Sequence, residues 1–295
     1  MDYELFKKLM CSRIKEYMPP VFQDYQPHVR QVTKVNQTKD AFCMIPPEKK
    51  SFVAIPTLYM DELYEDFARD EDLERVIILA AEVFVRWSGV EIPNVSDFSL
   101  KDSPDCIIAN LINAELNEEL LEKVPHTGFL DMAVIYRLVH SVTEEGVNSA
   151  IITGDMLENS DMTVRDLHRL AMENTPRMFP SRLYEGSGHG VFIMTNDPGV
   201  CGATTMLYEQ DMQRLAETIG GDFFIMPTSM HEFFAIATEL TDAADLAKML
   251  AEGNEQITRP QDQLSSRIYR YAASEGKIVV EAGAGLKMET IGKLN

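Results

Sequence analysis

Apolar residues recur along the chain with two different spacings, which together predict a mixture of helices and strands. Apolar positions at helical spacing predict amphipathic helices, whereas short apolar runs bounded by turn residues predict buried strands. The helical pattern covers residues 3–18, 61–68, 73–87, 116–122, 163–174, 209–219 and 243–252. The strand pattern covers residues 28–35, 41–45, 51–55, 106–112, 129–142, 149–153, 191–195, 203–207, 223–226, 233–237, 268–271 and 277–281.

Local sequence signals indicate where one predicted helix begins and where another ends. Thr163 is predicted to cap the helix 163–174, with Asp166 completing a variant of the capping box. The first helix is expected to end at Pro19, because proline disrupts a helix interior. Its buried face is predicted to consist of Leu5, Leu9, Ile14 and Met18.

The order of these elements predicts an α+β fold, with antiparallel sheets and helices packed on them. Most connections between successive strands are too short for a crossover helix, which favours antiparallel pairing. Two prolines and three glycines interrupt the pattern at 176–190, so we expect a boundary there. This predicts an N-terminal α+β domain at 1–180 and a C-terminal domain at 188–295, in the order ββαββαββ.

Two features of the sequence allow more than one interpretation. Gly186–Gly190 is typical of a flexible linker, and a mobile binding or catalytic loop is the alternative. The segment 57–68 resembles 206–216, in that a tyrosine precedes an acidic helix start in both. Two related halves would explain this similarity, and so would chance.

The net charge of the chain indicates which classes of partner are unfavourable. Its 47 acidic and 27 basic residues give a net charge of −20. A field of this sign repels nucleic acid and anionic membranes, so we expect no direct nucleic-acid binding and no membrane association. Residues 1–50 are the exception, with nine basic against six acidic residues. This imbalance suggests either simple solubility or a basic face that docks on an acidic partner.

The cysteines indicate the cellular compartment in which the protein is expected to reside. Cys11, Cys43, Cys106 and Cys201 are far apart in sequence and lack the spacing of a metal site. Free thiols in a reducing compartment are the expected state. Residues 1–16 are charged and lack the apolar stretch of a signal peptide. We therefore expect a cytoplasmic protein.

The segment 223–237 carries the candidate chemistry. Two apolar runs flank a polar centre that contains Ser229, His231 and Glu232. Adjacent strand residues face opposite sides, so Ser229 and His231 could share a face. A hydrolase could use these residues, assisted by His126 or His189 from elsewhere in the chain. The structural alternative is a hairpin turn in which the hydroxyl caps the backbone.

Cofactor and metal motifs are incomplete in this sequence. A zinc protease needs a second histidine where Ala235 stands, on a helix and not on a strand. The segment 277–285 has a strand followed by two glycines, but it lacks the third glycine of a dinucleotide site. We therefore predict neither a cofactor nor a metal.

Four segments of the chain carry a resemblance to known sequences: 55–59, 124–133, 173–180 and 226–232. Together they resemble a family of bacterial proteins of unknown function, found mainly in Gram-positive anaerobes. The resemblance implies a bacterial cytoplasmic origin, and it transfers no functional residues because the family has no assigned activity.

The sequence leaves three hypotheses for function. The first is a non-enzymatic binding or interaction protein with a protein or a small molecule as partner. The second is a hydrolase of unfamiliar type that uses the turn with Ser229, His231 and Glu232. The third is an acidic mimic of nucleic acid, which the net charge permits without requiring it.

Overall fold

The chain folds into two compact units, Met1–Phe98 and Ser99–Asn295. The sequence-based division near residues 180–190 therefore lies within the second unit. None of the described helices is both long and apolar enough to cross a membrane. The computed structural model describes residues 1–47, 56–87, 100–143, 146–186 and 188–283.

The described part of the first unit is a three-stranded antiparallel sheet with three helices. The sheet order is β1-β2-β3, and an apolar core that includes Phe42 and Phe84 lies between strands and helices. The predicted strand 51–55 lies outside the described residues. The elements are α1 (Tyr3–Arg13), β1 (Gln26–Lys34), β2 (Gln37–Ile45), β3 (Thr57–Tyr59), α2 (Met60–Asp70) and α3 (Leu73–Trp87), with 3-10 turns at Ile14–Tyr17 and Pro20–Phe22.

The buried face of the first helical segment differs from the prediction by one position in its first two turns, whereas Ile14 and Met18 are buried as predicted. Phe6 and Met10 are buried one turn apart, whereas Leu5 is 45% exposed. The Phe6 ring packs against the rings of Tyr64 and Phe67, with centroids 5.3 and 5.5 Å away. Burying an aromatic ring removes more apolar area from water than burying a leucine does, so the helix rotates towards Phe6.

The second unit contains two antiparallel sheets. The four-stranded sheet has β6 at its centre, with β4 on one side and β5 and β7 on the other. The six-stranded sheet has the order β13-β12-β10-β11-β9-β8. These findings confirm the predicted α+β class. The strands are β4 (Ile107–Asn113), β5 (His126–Phe129), β6 (Met132–Thr143), β7 (Gly146–Ile151), β8 (Ser181–Glu185), β9 (Val191–Asn196), β10 (Phe223–Met226), β11 (Phe233–Ala237), β12 (Arg267–Ala272) and β13 (Lys277–Gly283).

Helices cover one face of each sheet in the second unit. Helix α6 packs against β4, β5 and β6, and it begins at the predicted capping box of Thr163 and Asp166. Helix α8 packs on β10, β12 and β13 through Leu246 and Leu250. The helices are α4 (Glu118–Leu121), α5 (Gly154–Glu158), α6 (Val164–Met178), α7 (Glu209–Ile219) and α8 (Ala243–Gln256), with 3-10 turns at Pro104–Cys106, Glu115–Asn117, Gly202–Leu207 and Pro260–Asp262.

The outer edge of β4 is closed by side chains and not by another strand. The hydroxyl of Thr175 on α6 accepts the Ala109 N–H at 2.9 Å. The hydroxyl of Thr204 accepts the Leu111 N–H at 3.0 Å. An unpaired buried N–H is costly, so these two hydroxyls satisfy an edge that would otherwise need a neighbouring strand.

The predicted strand 203–207 is wrong, because Gly202–Leu207 forms a buried 3-10 helix. A short apolar run cannot be assigned to strand or helix by periodicity alone. Here close packing decides: a Cβ on Gly202 would lie 2.1 Å from Thr195 Oγ1 and 2.3 Å from the His231 carbonyl oxygen. The Thr205 hydroxyl also donates to the Gly202 carbonyl at 2.7 Å, which closes the turn.

The segment expected to be a flexible linker is the turn of a hairpin. Strands β8 and β9 pair in register from Ser181 with Asn196 to Glu185 with Phe192. Gly186 N–H donates to the Val191 carbonyl at 2.8 Å, and Gly190 adopts a φ of 83° against Leu240. The glycines therefore serve a tight turn, which composition alone does not distinguish from a linker.

Candidate functional site

The turn between β10 and β11 holds three of the candidate residues, Ser229, His231 and Glu232. Ser229 Oγ accepts the backbone N–H of His231 at 3.0 Å, so the hydroxyl caps the turn. The carbonyl of Glu232 accepts the Ser229 N–H at 3.4 Å. A hydroxyl held in this way is a turn-stabilising group, as the structural interpretation of the segment expects.

The imidazole of His231 is bonded through both ring nitrogens. Nδ1 accepts the backbone N–H of Cys201 at 3.2 Å, and Nε2 lies 3.2 Å from Asp262 Oδ1. An Nδ1 that accepts leaves the ring proton on Nε2, which donates to the carboxylate. The structure thus brings His231 to Cys201 and Asp262, while the Ser229 hydroxyl contacts the backbone.

Cys201 is a member of this cluster that the sequence analysis did not single out. Its backbone has a φ of 53°, which is uncommon for a residue with a side chain. Its Sγ accepts the Asn110 Nδ2–H at 3.1 Å, and burial raises the pKa of the thiol to about 11. The thiol is therefore protonated at neutral pH. Asn110 is 91 residues away in sequence, so no local pattern indicates this contact.

His126 and His189 lie elsewhere. His126 is exposed at the start of β5, and its Nδ1 donates to the Val124 carbonyl at 3.0 Å. His189 is exposed in the turn between β8 and β9. His126 lines a cavity of about 670 Å³ whose lining does not include His231. The structure therefore does not bring His126 and His231 to one pocket.

This cavity, which we call the Asp131 cavity, lies between the ends of the two sheets of the second unit. Its wall is formed mainly by polar and charged side chains, with four carboxylates and one guanidinium. Its lining residues are Asn113, Ala114, Glu115, Glu118, Leu121, Glu122, His126, Asp131, Ser266 and Arg267.

Asp131 is held in the cavity wall by residues from the other sheet. It accepts the Tyr269 hydroxyl at 2.5 Å and the Ser265 hydroxyl at 2.9 Å, and Arg267 Nε lies 3.5 Å from it. Tyr269 is fully buried, and burial followed by the charge of Asp131 raises the pKa of its phenol well above the ordinary value. The carboxylate thus has fixed partners on the β12 side.

Asp131 reaches these partners from a tight turn between β5 and β6. Phe129 pairs with Met132, so Leu130 and Asp131 form a two-residue loop. Leu130 adopts a φ of 58° and is 45% exposed. Such turns favour glycine or asparagine, which explains why the sequence analysis placed one strand over 129–142.

Three glutamates project from the short helical segment beside the cavity. Glu115, Glu118 and Glu122 recur at helical spacing and are exposed. Like charges one turn apart repel each other, and these carboxylates have no salt bridge to a described basic residue. Their charge adds to that of Asp131, which Arg267 offsets. The cavity is therefore a region of negative potential.

Metal binding finds no support within the described ranges. No group of three histidine, cysteine, aspartate or glutamate side chains there is arranged to hold a metal ion. The acidic side chains of the Asp131 cavity are thus spread along its wall and do not converge on one point.

The fold and the cavity define an α+β protein with a carboxylate-lined site. The chain belongs to DUF5688, a family of unknown function, whose model matches residues 3–187 and 182–273. The two matched segments overlap at the β8–β9 hairpin. No curated protein and no solved structure matches the chain.

Proposed function

We propose that the protein is a binding protein, and that the Asp131 cavity takes a ligand with a positively charged organic group. The observation that carries this proposal is the cavity itself, with four carboxylates against one guanidinium. A primary amine or a guanidinium would place its donors among these oxygens. Asn113, Ser266 and His126 supply further polar atoms that could fix the orientation of the ligand.

The ligand is a small molecule or the side chain of a partner protein. A cavity of about 670 Å³ falls within the size range of small-molecule sites. It would also accept a lysine or arginine side chain from a docked segment. Both ligands share the cationic group, so one set of variants tests them together.

A titration with arginine, lysine and spermidine tests this proposal. Heat of binding would be measured for the wild type and for Glu118→Gln/Glu122→Gln, which removes two cavity charges. The variant should bind the responding cation about thirtyfold more weakly or worse, because each of the two lost charge-assisted contacts is worth roughly 1 kcal/mol or more.

The matched control is Glu252→Gln/Glu255→Gln, which removes two exposed charges from α8. It changes the net charge equally, so it should bind like the wild type. Equal weakening in both variants would show a general charge effect and would reject the cavity as the site.

A hydrolase that uses Ser229, His231 and Glu232 is the second candidate. One observation favours it: Asp262 orients the His231 imidazole, as a carboxylate orients a catalytic base. Attack by Ser229 would require its hydroxyl to leave the backbone N–H of His231, and Nδ1 of His231 to release the Cys201 N–H so that it can accept the serine proton. Hydrolysis of p-nitrophenyl acetate that is lost in both Ser229→Ala and His231→Ala would support this candidate over simple binding.

A cytoplasmic location is also proposed. The four cysteines are all free thiols, as expected of a reducing compartment. A fluorescent fusion expressed in a bacterium checks this proposal. Signal confined to the cell envelope would reject it.

A further inference from the structure

Arg137 on β6 is half-buried, and it has no carboxylate partner among the described residues. Its Nε donates to Ser149 Oγ at 2.8 Å, and its Nη2 donates to the Ser149 carbonyl at 2.9 Å. The remaining N–H groups have no acceptor in the described part of the chain, and they are not sealed from solvent. Burial lowers the pKa of the guanidinium below its ordinary value, because removing the charged form from water costs free energy.

Other described arginines avoid this situation. Some form salt bridges with aspartate or glutamate, and the rest are exposed to solvent. The paired ones are Arg13, Arg69, Arg75, Arg169, Arg177, Arg182, Arg214, Arg267 and Arg270. The exposed ones are Arg30, Arg86, Arg165 and Arg259. In a chain with a net charge of −20, an unpaired and half-buried arginine therefore requires an explanation.

Polar side chains gather beside Arg137. Ile108 on β4 lies opposite Arg137, and Asn110 is two residues further on the same face of the sheet. Asn110 donates to Cys201 Sγ, and Arg137 lies near the same thiol. Arg137 and Asn110 are half-buried, so solvent reaches this part of the cluster. Asp262 is engaged with His231.

We propose that Arg137 and Asn110 form a binding site for an oxyanion, the carboxylate or phosphate group of a ligand. A guanidinium presents parallel N–H donors that match two oxygens of such a group. The carboxamide of Asn110 adds a neutral donor at the edge of the site. The site is separate from the Asp131 cavity, whose lining contains neither residue.

Thermal unfolding of the full chain in sodium phosphate, sodium acetate and sodium chloride, at equal ionic strength, tests this site. Phosphate should raise the melting temperature of the wild type above its value in chloride. Acetate should raise it as well if the site also accepts carboxylates. Arg137→Gln should lose this increase and bind the responding anion about tenfold more weakly or worse. Arg165→Gln removes an exposed charge from α6 and should respond like the wild type.

A second variant keeps the test decisive if Arg137→Gln does not fold. Asn110→Asp places a carboxylate beside the guanidinium, so the protein itself supplies the missing partner. This variant should fold and should lose the response to both oxyanions.

Equal melting temperatures of the wild type in all three salts would overturn the proposal, as would an undiminished response in Asn110→Asp. A response to phosphate alone would identify a phosphate group, and a response to acetate as well would include carboxylates. Glu118→Gln/Glu122→Gln should keep the oxyanion response, which separates this site from the cationic ligand proposed above.

Discussion

The Tyr269 hydroxyl donates a 2.5 Å hydrogen bond to Asp131 across a separation of 138 residues. Asp131 lies in the β5–β6 turn of the four-stranded sheet, and Tyr269 lies on β12 of the six-stranded sheet. The bond therefore ties the two sheets of the second unit together at the wall of the cavity. Any ligand in the cavity meets a carboxylate that is already held in place.

A double-mutant cycle on this pair should show strong coupling. Asp131→Asn should lower the free energy of unfolding by about 1.5–3 kcal/mol, because a hydrogen bond to a charged acceptor is weakened at a buried site. Tyr269→Phe should cost about 1–3 kcal/mol, and the two changes together should cost less than their sum. Urea denaturation of the four proteins measures this coupling.

Asp102→Asn is the control for that cycle, since Asp102 is exposed. Its effect on the free energy of unfolding should stay within about 0.5 kcal/mol. Strict additivity of Asp131→Asn and Tyr269→Phe would contradict the structural pairing.

Leu130→Gly should stabilise the protein. A leucine at a φ of 58° is strained by about 1–2 kcal/mol, and Leu130 is 45% exposed, so the burial that is lost offsets only part of the relieved strain. We expect a gain of about 1 kcal/mol in the free energy of unfolding. The matched control is Asn36→Gly at a φ of 61°, where the gain should be smaller because asparagine tolerates this conformation. Destabilisation by Leu130→Gly would show that the side chain contributes more than the strain costs.

Gly202→Ala should be strongly destabilising. The new Cβ would lie 2.1 Å from Thr195 Oγ1 and 2.3 Å from the His231 carbonyl, so two packed loops would have to separate. We expect a loss of about 3 kcal/mol or more. Gly253→Ala in α8 is the contrast, since nothing lies within 4 Å of its added Cβ. It should stabilise by about 0.5–1 kcal/mol, and similar melting temperatures for the two variants would contradict the packing described.

Cys201 should make stability fall at alkaline pH. Burial raises the pKa of its thiol from 9.0 to about 11, so the folded state holds the proton more tightly than the unfolded state. The stabilisation is present below pH 9 and is lost as the pH rises from 9 to 11. Cys201→Ala should show a shallower decline over this range than the wild type, measured by urea denaturation at several pH values. An unchanged slope in Cys201→Ala would contradict this assignment.

Strong local periodicity is the reason that several elements could be predicted from the sequence. The helices 73–87 and 209–219 and the strands 223–226 and 233–237 have the predicted bounds. Each combines a clear apolar period with a turn or a cap at its ends. The 3-10 helix Gly202–Leu207 was missed because packing around Gly202, and not the local pattern, decides its conformation.

The site was less accessible to prediction because its contacts are distant in sequence. His126 and His231 could be singled out by residue type, but not the partners that each would meet. Asp131 follows Leu130 in a turn without glycine, asparagine or proline, and a single aspartate is too weak a turn signal to mark it. Arg137 interrupts an apolar strand. An arginine at such a position is the signal in the sequence that could have marked the oxyanion site. Whether Ser229 and Glu232 act in chemistry stays a prediction.

The threonine hydroxyls at the edge of β4 make the integrity of one sheet depend on a helix that is not part of it. Thr175 belongs to α6, and Thr204 belongs to the 3-10 helix beside it. If α6 detached, the N–H group of Ala109 would become open to a strand from another molecule, while Thr204 would still cover that of Leu111. Aggregation of this protein should therefore begin with local unfolding of α6, well before the sheets themselves come apart.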